Sequence, residues 1–244
     1  MENHNSSLSG KKVIVLGGTS GLGFAAAKVA AAEGAIVAIV SSNQLRIDHA
    51  LKELPTGSTG HAIDLGKEAN IKSFFDTAGS FDHLVYTAAE NLTLNTVRDI
   101  DLEQARRFFN LRYWGALAAV KYGASNINQG GSICLTSGIA STRPGKGWAL
   151  ASSICGAMEG LVRALAVELA PIRVNSVVPG VVKTNLWNSM PPADRENLYT
   201  TVGNALLVKR VGEAGDIAQA FVYLMKQQFG TGQNIVIDGG AVLV

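Results

Sequence analysis

Short apolar runs alternate with longer segments whose apolar residues recur at helical spacing along almost the whole chain. The run 13–16 is continuously apolar and is followed by Gly17 and Gly18, which is typical of a strand buried on both faces. The alanine-rich segment 22–33 comes next and ends at Gly34, a common helix terminator. The sequence therefore predicts a strand–turn–helix unit near residue 13.

The same alternation continues to residue 238. Further strands are predicted at 36–40, 61–63, 84–86, 132–136, 173–178 and 234–238, and helices at about 44–54, 101–126, 151–170 and 214–227. Strands that alternate with helices form a parallel sheet with helices on both faces. We therefore expect one α/β domain over residues 1–244, a Rossmann-type doubly wound parallel sheet. The segment 185–210 breaks the alternation, and we expect it to form a lid over the active-site end of the sheet.

Composition narrows the class of protein. The 244 residues are 47% hydrophobic and 16% charged, which supports a large core and argues against disorder. A net charge of +2 is too small to indicate a nucleic-acid surface. Two cysteines, Cys134 and Cys155, exclude a disulfide framework and fit a reducing compartment. No apolar run approaches the roughly 18 residues of a membrane span, and the first ten residues lack a signal-peptide core. We expect a cytoplasmic protein that binds a small molecule, with no nucleic-acid, membrane or metal partner.

A glycine-rich turn, Gly17-Gly-Thr-Ser-Gly-Leu-Gly23, joins the first predicted strand to the first helix. We expect Gly17 to permit the tight turn, Gly21 to let the backbone approach a pyrophosphate, and Gly23 to allow close packing of helix on sheet. The helix N-terminus adds free N–H groups and the positive end of the helix dipole. An ordinary glycine-rich turn would have the same composition, but the strand–turn–helix context favours dinucleotide binding.

The three-residue gap between Gly17 and Gly21 resembles the loop T-G-x-x-x-G-x-G of the short-chain dehydrogenase/reductase family, with Leu16 at the threonine position. Asp64, Asn110, Pro179-Gly180 with Thr184, and the sequence Asp-Gly-Gly at 238–240 extend the resemblance over nearly the whole chain. It implies a nicotinamide dinucleotide and a homodimer or homotetramer. The cofactor residues assigned in this way are Gly17, Thr19, Ser20, Gly21, Leu22, Gly23, Ser41, Ser42, Asn43, Arg46, Asp64, Leu65, Thr87, Ala88, Ala89, Pro179, Gly180, Val182 and Thr184.

The end of the second strand indicates which nicotinamide cofactor binds. An aspartate there would accept hydrogen bonds from the ribose 2′-hydroxyl and repel a 2′-phosphate. This chain has Ser41, Ser42 and Asn43 instead, and Arg46 follows one helical turn later. The same residues are also typical of a helix cap. We expect NADP(H) rather than NAD(H).

The resemblance also implies a catalytic set of asparagine, serine, tyrosine and lysine. The motif Glu-Gly-Leu at 159–161 places the lysine position at Cys155 and the tyrosine position at Ala151. Counting from Gly131 places the serine position at Gly138, and an alternative register places it at Ser137. No shift recovers a tyrosine. Asn110 is therefore the one member of the set that remains.

Several other side chains are candidates for the missing chemistry. Tyr113 follows Asn110 by three residues and would share its face of an α-helix. Cys155 is either a nucleophile or a small buried residue that fills space, and we favour the second interpretation. Arg112, Arg143, Lys146 and Trp148 are candidates for the pocket rim, and Trp187, Met190, Leu198 and Tyr199 for an apolar lining under the lid.

Three functional hypotheses follow. The first is an NADP(H)-dependent oxidoreductase with an atypical proton donor, acting on a small organic substrate. The second is a cofactor-binding enzyme without redox chemistry, such as an isomerase or a cyclisation catalyst of secondary metabolism. The third is a catalytically inactive, nucleotide-sensing protein.

Overall fold

The computed structural model describes residues 8–92 and 94–244, so the expectation about a leader in the first residues lies largely outside the described part. Its strands, in chain order, are β1 (Lys12–Leu16), β2 (Ile36–Ser41), β3 (Thr59–Ala62), β4 (Phe81–Tyr86), β5 (Ile127–Thr136), β6 (Arg173–Pro179), β7 (Val182–Lys183), β8 (Gly212–Glu213) and β9 (Asn234–Ile237). Seven of them form one parallel sheet in the order β3-β2-β1-β4-β5-β6-β9. β7 and β8 form a separate parallel pair.

The α-helices cover both faces of the sheet. They are α1 (Gly21–Ala32), α2 (Gln44–Leu51), α3 (Glu68–Thr77), α4 (Leu102–Phe109), α5 (Gly115–Gly123), α6 (Ala149–Glu168), α7 (Pro192–Ala205) and α8 (Ala214–Lys226). Because side chains alternate along a strand, β1 supplies Val13 and Val15 to one core and Ile14 and Leu16 to the other. α1 and α8 cover the first core, and α3, α5 and α6 cover the second. The Rossmann-type prediction is confirmed.

Two helix predictions differ from the structure. α3 was not predicted, although Ile71, Phe74 and Phe75 have the spacing of a buried helical face. The predicted helix 101–126 is interrupted by a π-helical turn, Asn110–Trp114, between α4 and α5. The hydroxyl of Tyr86 donates to the carbonyl oxygen of Leu111 at 2.5 Å, which satisfies a backbone acceptor inside this turn.

The segment 185–210 contains a short 3₁₀ turn, Asn185–Trp187, and the helix α7. The amide of Leu92 donates to the carbonyl oxygen of Leu186 at 3.0 Å, and the hydroxyl of Ser189 donates to the carbonyl oxygen of Leu92 at 2.8 Å. These bonds join the segment to the chain that follows β4. The segment therefore lies beside the carboxyl ends of the strands.

One helix among the described residues, α6, is long and apolar enough to cross a membrane by length and composition, with a mean hydropathy of 1.4. Its buried residues Met158, Val162 and Leu165 pack in the second core, and Ile154 packs in a third cluster beside the segment 185–210. These contacts are those of a core helix in a layered α/β fold.

Candidate active site

A groove of about 370 Å³ lies at the carboxyl ends of the strands, where the order of the sheet reverses between β1 and β4. This switch point is where open α/β sheets bind ligands. Most of the predicted cofactor residues line the groove: Gly17, Thr19, Ser20, Gly21, Leu22, Ser41, Ser42, Arg46, Asp64, Leu65, Thr87, Ala88, Ala89, Pro179 and Thr184. These residues therefore form one continuous surface that runs from the glycine-rich turn to the end of β6.

Contacts with the chain after β4 fix the glycine-rich turn. Gly17 has a φ of +87°, and a Cβ there would lie 2.6 Å from the amide nitrogen of Ala88. A Cβ on Gly23 would lie 2.2 Å from Thr87 Oγ1. The same hydroxyl donates to the carbonyl oxygen of Leu16 at 3.2 Å. Ser20, at the N-cap of α1, forms no side-chain cap hydrogen bond. The turn thus presents backbone and uncapped N–H groups to the groove, which fits a pyrophosphate.

No described aspartate or glutamate lines the groove at the end of β2. Ser41, Ser42 and Arg46 line it there. Asn43 instead caps α2, accepting a hydrogen bond from the backbone amide of Arg46 at 3.0 Å, and it is not among the groove residues. Asp64 Oδ1 accepts from the backbone amide of Gly66 at 3.0 Å. The set of polar groups suits a 2′-phosphate better than a free 2′-hydroxyl.

Three other predicted cofactor residues do not line the groove. Gly23 packs α1 against the turn, as described above. Gly180 lines a neighbouring cavity, and a Cβ there would lie 2.8 Å from Asp238 Cα. Val182 is buried in β7, and its carbonyl oxygen accepts from Trp187 Nε1 at 3.0 Å. These contacts place the three residues in backbone next to the groove.

An apolar cavity of about 540 Å³ adjoins the groove, and Arg112, Ser137, Pro179 and Leu186 line both. Most of its wall is aliphatic or aromatic. Among the lining residues are Leu92, Phe108, Ile139, Ala140, Trp148, Ile154, Val181, Trp187, Val202, Ala205 and Leu206. A molecule in this cavity would lie next to whatever occupies the inner end of the groove.

Gly138, Ala151 and Cys155 stand together on the wall of this cavity. A Cβ on Gly138 would lie 3.3 Å from Cys155 Sγ. Burial raises the pKa of the Cys155 thiol, so the thiol stays protonated at neutral pH and fills space. The hydroxyl of Ser137, the alternative serine position, donates to the carbonyl oxygen of Cys155 at 3.1 Å.

Asn110 and Tyr113 do not form the paired arrangement that the sequence predicts. Asn110 Nδ2 donates to the carbonyl oxygen of Gly66 at 2.8 Å, which ties the start of the π turn to the loop after β3. The ring of Tyr113 packs edge-on against Trp114, with 5.0 Å between ring centroids. The expectation of a shared face assumed α-helical geometry, which the π turn replaces.

Arg112 lies much deeper than the pocket rim where the sequence analysis placed it. Its side chain is only 17% exposed, and its guanidinium carbon lies 4.4 Å from the centroid of the Phe108 ring. Nη2 donates to the carbonyl oxygen of Glu90, and Nε lies 3.6 Å from Glu90 Oε2. Desolvation lowers the pKa of Arg112 and raises that of Glu90. Phe108, four residues before Arg112, was the available sequence signal for this burial.

Some of the other residues predicted for the rim and the lid line the cavity, and the rest do not. Arg143, Trp148 and Trp187 line the cavity, and the rings of the two tryptophans are 6.3 Å apart. Lys146 is exposed in the loop between Gly145 and Gly147. Met190, Leu198 and Tyr199 pack against the cluster that contains Trp187 and so support the wall.

Comparison with known proteins agrees with this geometry. A family model described as enoyl-(acyl carrier protein) reductase matches residues 17–242. The short-chain dehydrogenase/reductase ucsE of an Acremonium species is 32% identical over an alignment of 255 positions, which covers 97% of each chain. This chain belongs to the short-chain dehydrogenase/reductase family. Within the family, a solved small-chain dehydrogenase in complex with NADPH is 36% identical, with a TM-score of 0.86 over 97% of this chain and 100% of that one.

The name of a second solved family member includes a cyclisation activity in addition to reduction. The MalC reductase/Diels-Alderase of Malbranchea aurantiaca is 29% identical, with a TM-score of 0.90 over 98% of this chain and 99% of that one. The fold similarity of these short-chain dehydrogenase/reductases therefore covers both the groove and the apolar cavity.

Proposed function

We propose that this short-chain dehydrogenase/reductase is an NADP(H)-dependent oxidoreductase that acts on a small apolar substrate with an atypical source of the proton. The observation that carries the proposal is the junction of groove and cavity at Ser137 and Arg112. The glycine-rich turn would hold the pyrophosphate, and Ser41, Ser42 and Arg46 the 2′-phosphate. NADPH, when bound, supplies a hydride. The NADPH complex of the 36% identical relative supports this cofactor.

The side chains of the site limit which substrates can react. Ala151 carries no proton donor, and the thiol of Cys155 has a raised pKa. Burial raises the pKa of Tyr86, whose hydroxyl donates to the carbonyl oxygen of Leu111. A positioned acid typically contributes about 10²–10⁴ in rate. We therefore propose that iminium ions and activated alkenes are better acceptors than ketones, because their reduction does not produce an alkoxide.

A cyclisation catalyst is the second candidate function. The similarity to the MalC reductase/Diels-Alderase and the apolar wall with two indole rings support it. In that case the cavity would act by holding an apolar substrate in a folded conformation.

We also propose a cytoplasmic homodimer or homotetramer. Gly156 and Gly160 of α6 have open space where a Cβ would lie, and Val167 is 82% exposed on the same helix. Trp114 at the end of the π turn is 56% exposed. A second copy covering these residues would bury apolar surface. Sedimentation as a monomer at micromolar concentration would contradict this assembly.

The test of the proposed function is NADPH oxidation with matched panels of ketones, cyclic imines and activated alkenes. We expect turnover with imines or alkenes and little with ketones. NADPH binding without turnover of any panel, together with conversion of a diene substrate, would favour the cyclisation catalyst.

A triple variant tests the assignment of the replaced positions. Gly138→Ser, Ala151→Tyr and Cys155→Lys together should raise ketone reduction by about 10²-fold or more, because they restore a positioned acid. The matched control carries Ala151→Phe with the same two other changes, so that it has the ring without the hydroxyl. A folded triple variant that binds NADPH but reduces ketones no faster than this control would contradict the assignment.

A further inference from the structure

Arg112 occupies the point where three spaces meet. It lines the groove, the apolar cavity and a small inner space of about 60 Å³ that Tyr86, Ser137 and Cys155 also line. The resemblance places the family's lysine at Cys155, on α6. The cation of this site therefore comes from the π turn and not from α6.

The guanidinium of Arg112 has donors that the protein leaves free. Within residues 8–92 and 94–244, its Nε is the one buried side-chain nitrogen or oxygen without a hydrogen-bond partner. An arginine has five N–H donors, and the structure shows one of them, on Nη2, bonded to the carbonyl oxygen of Glu90. Glu90 Oε2, 3.6 Å from Nε, balances the charge on that side, and a ligand oxygen would complete the hydrogen bonds of the remaining donors on Nη1 and Nη2.

The charge around Arg112 favours an anion. The described side chains that line the apolar cavity include two arginines, Arg112 and Arg143, and no aspartate or glutamate. Glu90 lines the groove, and its side chain is 43% exposed. Desolvation raises the pKa of Glu90, and Arg112 opposes that rise, as expected for a carboxylate paired with a guanidinium. Glu90, the carboxylate that pairs with Arg112, therefore does not line the cavity.

We propose that Arg112 binds a negatively charged oxygen of the substrate, and that the substrate class is an apolar, ring-bearing organic anion, either a carboxylate or an enolate. Phe108, Trp148 and Trp187 contact the apolar part of the molecule, and the fork of the guanidinium takes the oxygen. The inference rests on the proposed function in one respect: the substrate enters this cavity.

The experiment is isothermal titration calorimetry of the full chain with pairs of anionic and neutral ligands. The carboxylate pair is 2-naphthoate and 2-naphthamide. The enolate pair is 5-phenyl-1,3-cyclohexanedione, which is ionised at neutral pH, and its methyl enol ether. We expect at least one anion to bind about 10-fold more tightly than its neutral partner, the size of one charge-assisted hydrogen bond, and the pair that shows the preference identifies the type of oxygen.

Variants assign the preference to a residue. Arg112→Gln should reduce the ratio of the two affinities to about one, and Arg112→Lys should keep part of it, because the charge remains but the fork is lost. The matched control is Arg107→Gln, which removes an exposed arginine on α4 and should leave the ratio unchanged. Thermal unfolding of each variant shows whether it is folded, and Arg112→Lys keeps the test decisive if Arg112→Gln unfolds.

Two results would overturn the inference. One is equal affinity for both members of each pair in the unmodified protein. The other is that the tighter binding of the anion persists in the Arg112→Gln variant, or that it is lost in the Arg143→Gln variant, in which Arg112 is intact. A separate NADPH titration distinguishes this failure from failure of the proposed function. NADPH binding without an anion preference contradicts only the inference, whereas an anion preference without NADPH binding contradicts only the oxidoreductase proposal.

Discussion

The groove and the cavity of this protein have diverged to different degrees from the family pattern. The groove keeps the glycines and small polar residues of the family, and its shape depends on backbone contacts such as that between Gly17 and Ala88. The cavity has Gly138, Ala151 and Cys155 at the positions that the family resemblance assigns to three catalytic side chains, and Arg112 lines the same cavity. If this assignment is correct, the fold retains the surface that holds a dinucleotide although the residues for proton transfer are replaced.

The largest expected effect is on the groove. Gly17→Ala should abolish detectable NADPH binding, a loss of about 10²-fold or more, because the residue has a φ of +87° and its Cβ would contact the Ala88 amide. Calorimetry measures the change. The matched control is Gly215→Ala in the first turn of α8, where a Cβ would have open space. Full NADPH affinity in Gly17→Ala would show that the backbone of this turn does not form the binding surface.

A smaller effect concerns a third region, the amino ends of the strands. Burial lowers the pKa of His83 from its ordinary value of 6.5 to about 4, with Asp82, Arg173 and Lys11 acting as weaker charges nearby. His83 Nδ1 lies 2.9 Å from Ser132 Oγ. The unfolded chain therefore binds a proton that the folded chain does not, and the stability from this group is lost as the pH falls from 6.5 towards 4.

This loss amounts to at most about 3 kcal/mol of unfolding free energy. Urea unfolding at a series of pH values measures it. His83→Gln should have a flatter profile across this range than the unmodified protein, and His49→Gln, at an exposed position on α2, should not. Equal slopes in all three proteins would contradict the burial of a neutral imidazole at this position.

The smallest expected effect tests the choice of cofactor. Ser41→Asp should weaken NADPH binding about tenfold, because a carboxylate at the end of β2 would repel the 2′-phosphate. Ser41→Asn adds a side chain of the same shape without the charge and is the control. Equal affinity of both variants for NADPH would remove the assignment of the 2′-phosphate to this end of the groove.

Sequence patterns were sufficient for the sheet and most of the groove. Every strand of the main sheet was anticipated, although β5 begins at Ile127 and not at residue 132, and β3 at Thr59 and not at residue 61. The reason is local: apolar runs and the glycine spacing determine a buried strand and the turn that follows it.

The cavity was less predictable because its features depend on contacts distant in sequence. The π turn has no glycine or proline to mark it, and it involves a hydrogen bond from Tyr86, which is 25 residues before Leu111 in the chain. The burial of Arg112 depends on this turn and on Glu90. The residues 41–43 were predicted both as a helix cap and as cofactor residues, and the structure shows the cap, because the side-chain oxygen of Asn43 accepts from the Arg46 amide.

The central claim is that the groove still binds NADPH although the catalytic residues for ketone reduction are replaced. One titration in two stages tests it most directly. NADPH is first titrated into the unmodified protein, and a saturated cyclic ketone is then added while NADPH absorbance is followed. We predict binding with a dissociation constant below about 1 mM, followed by a stable NADPH signal after the ketone is added. Absence of NADPH binding, or rapid oxidation of NADPH by the ketone, would contradict the account.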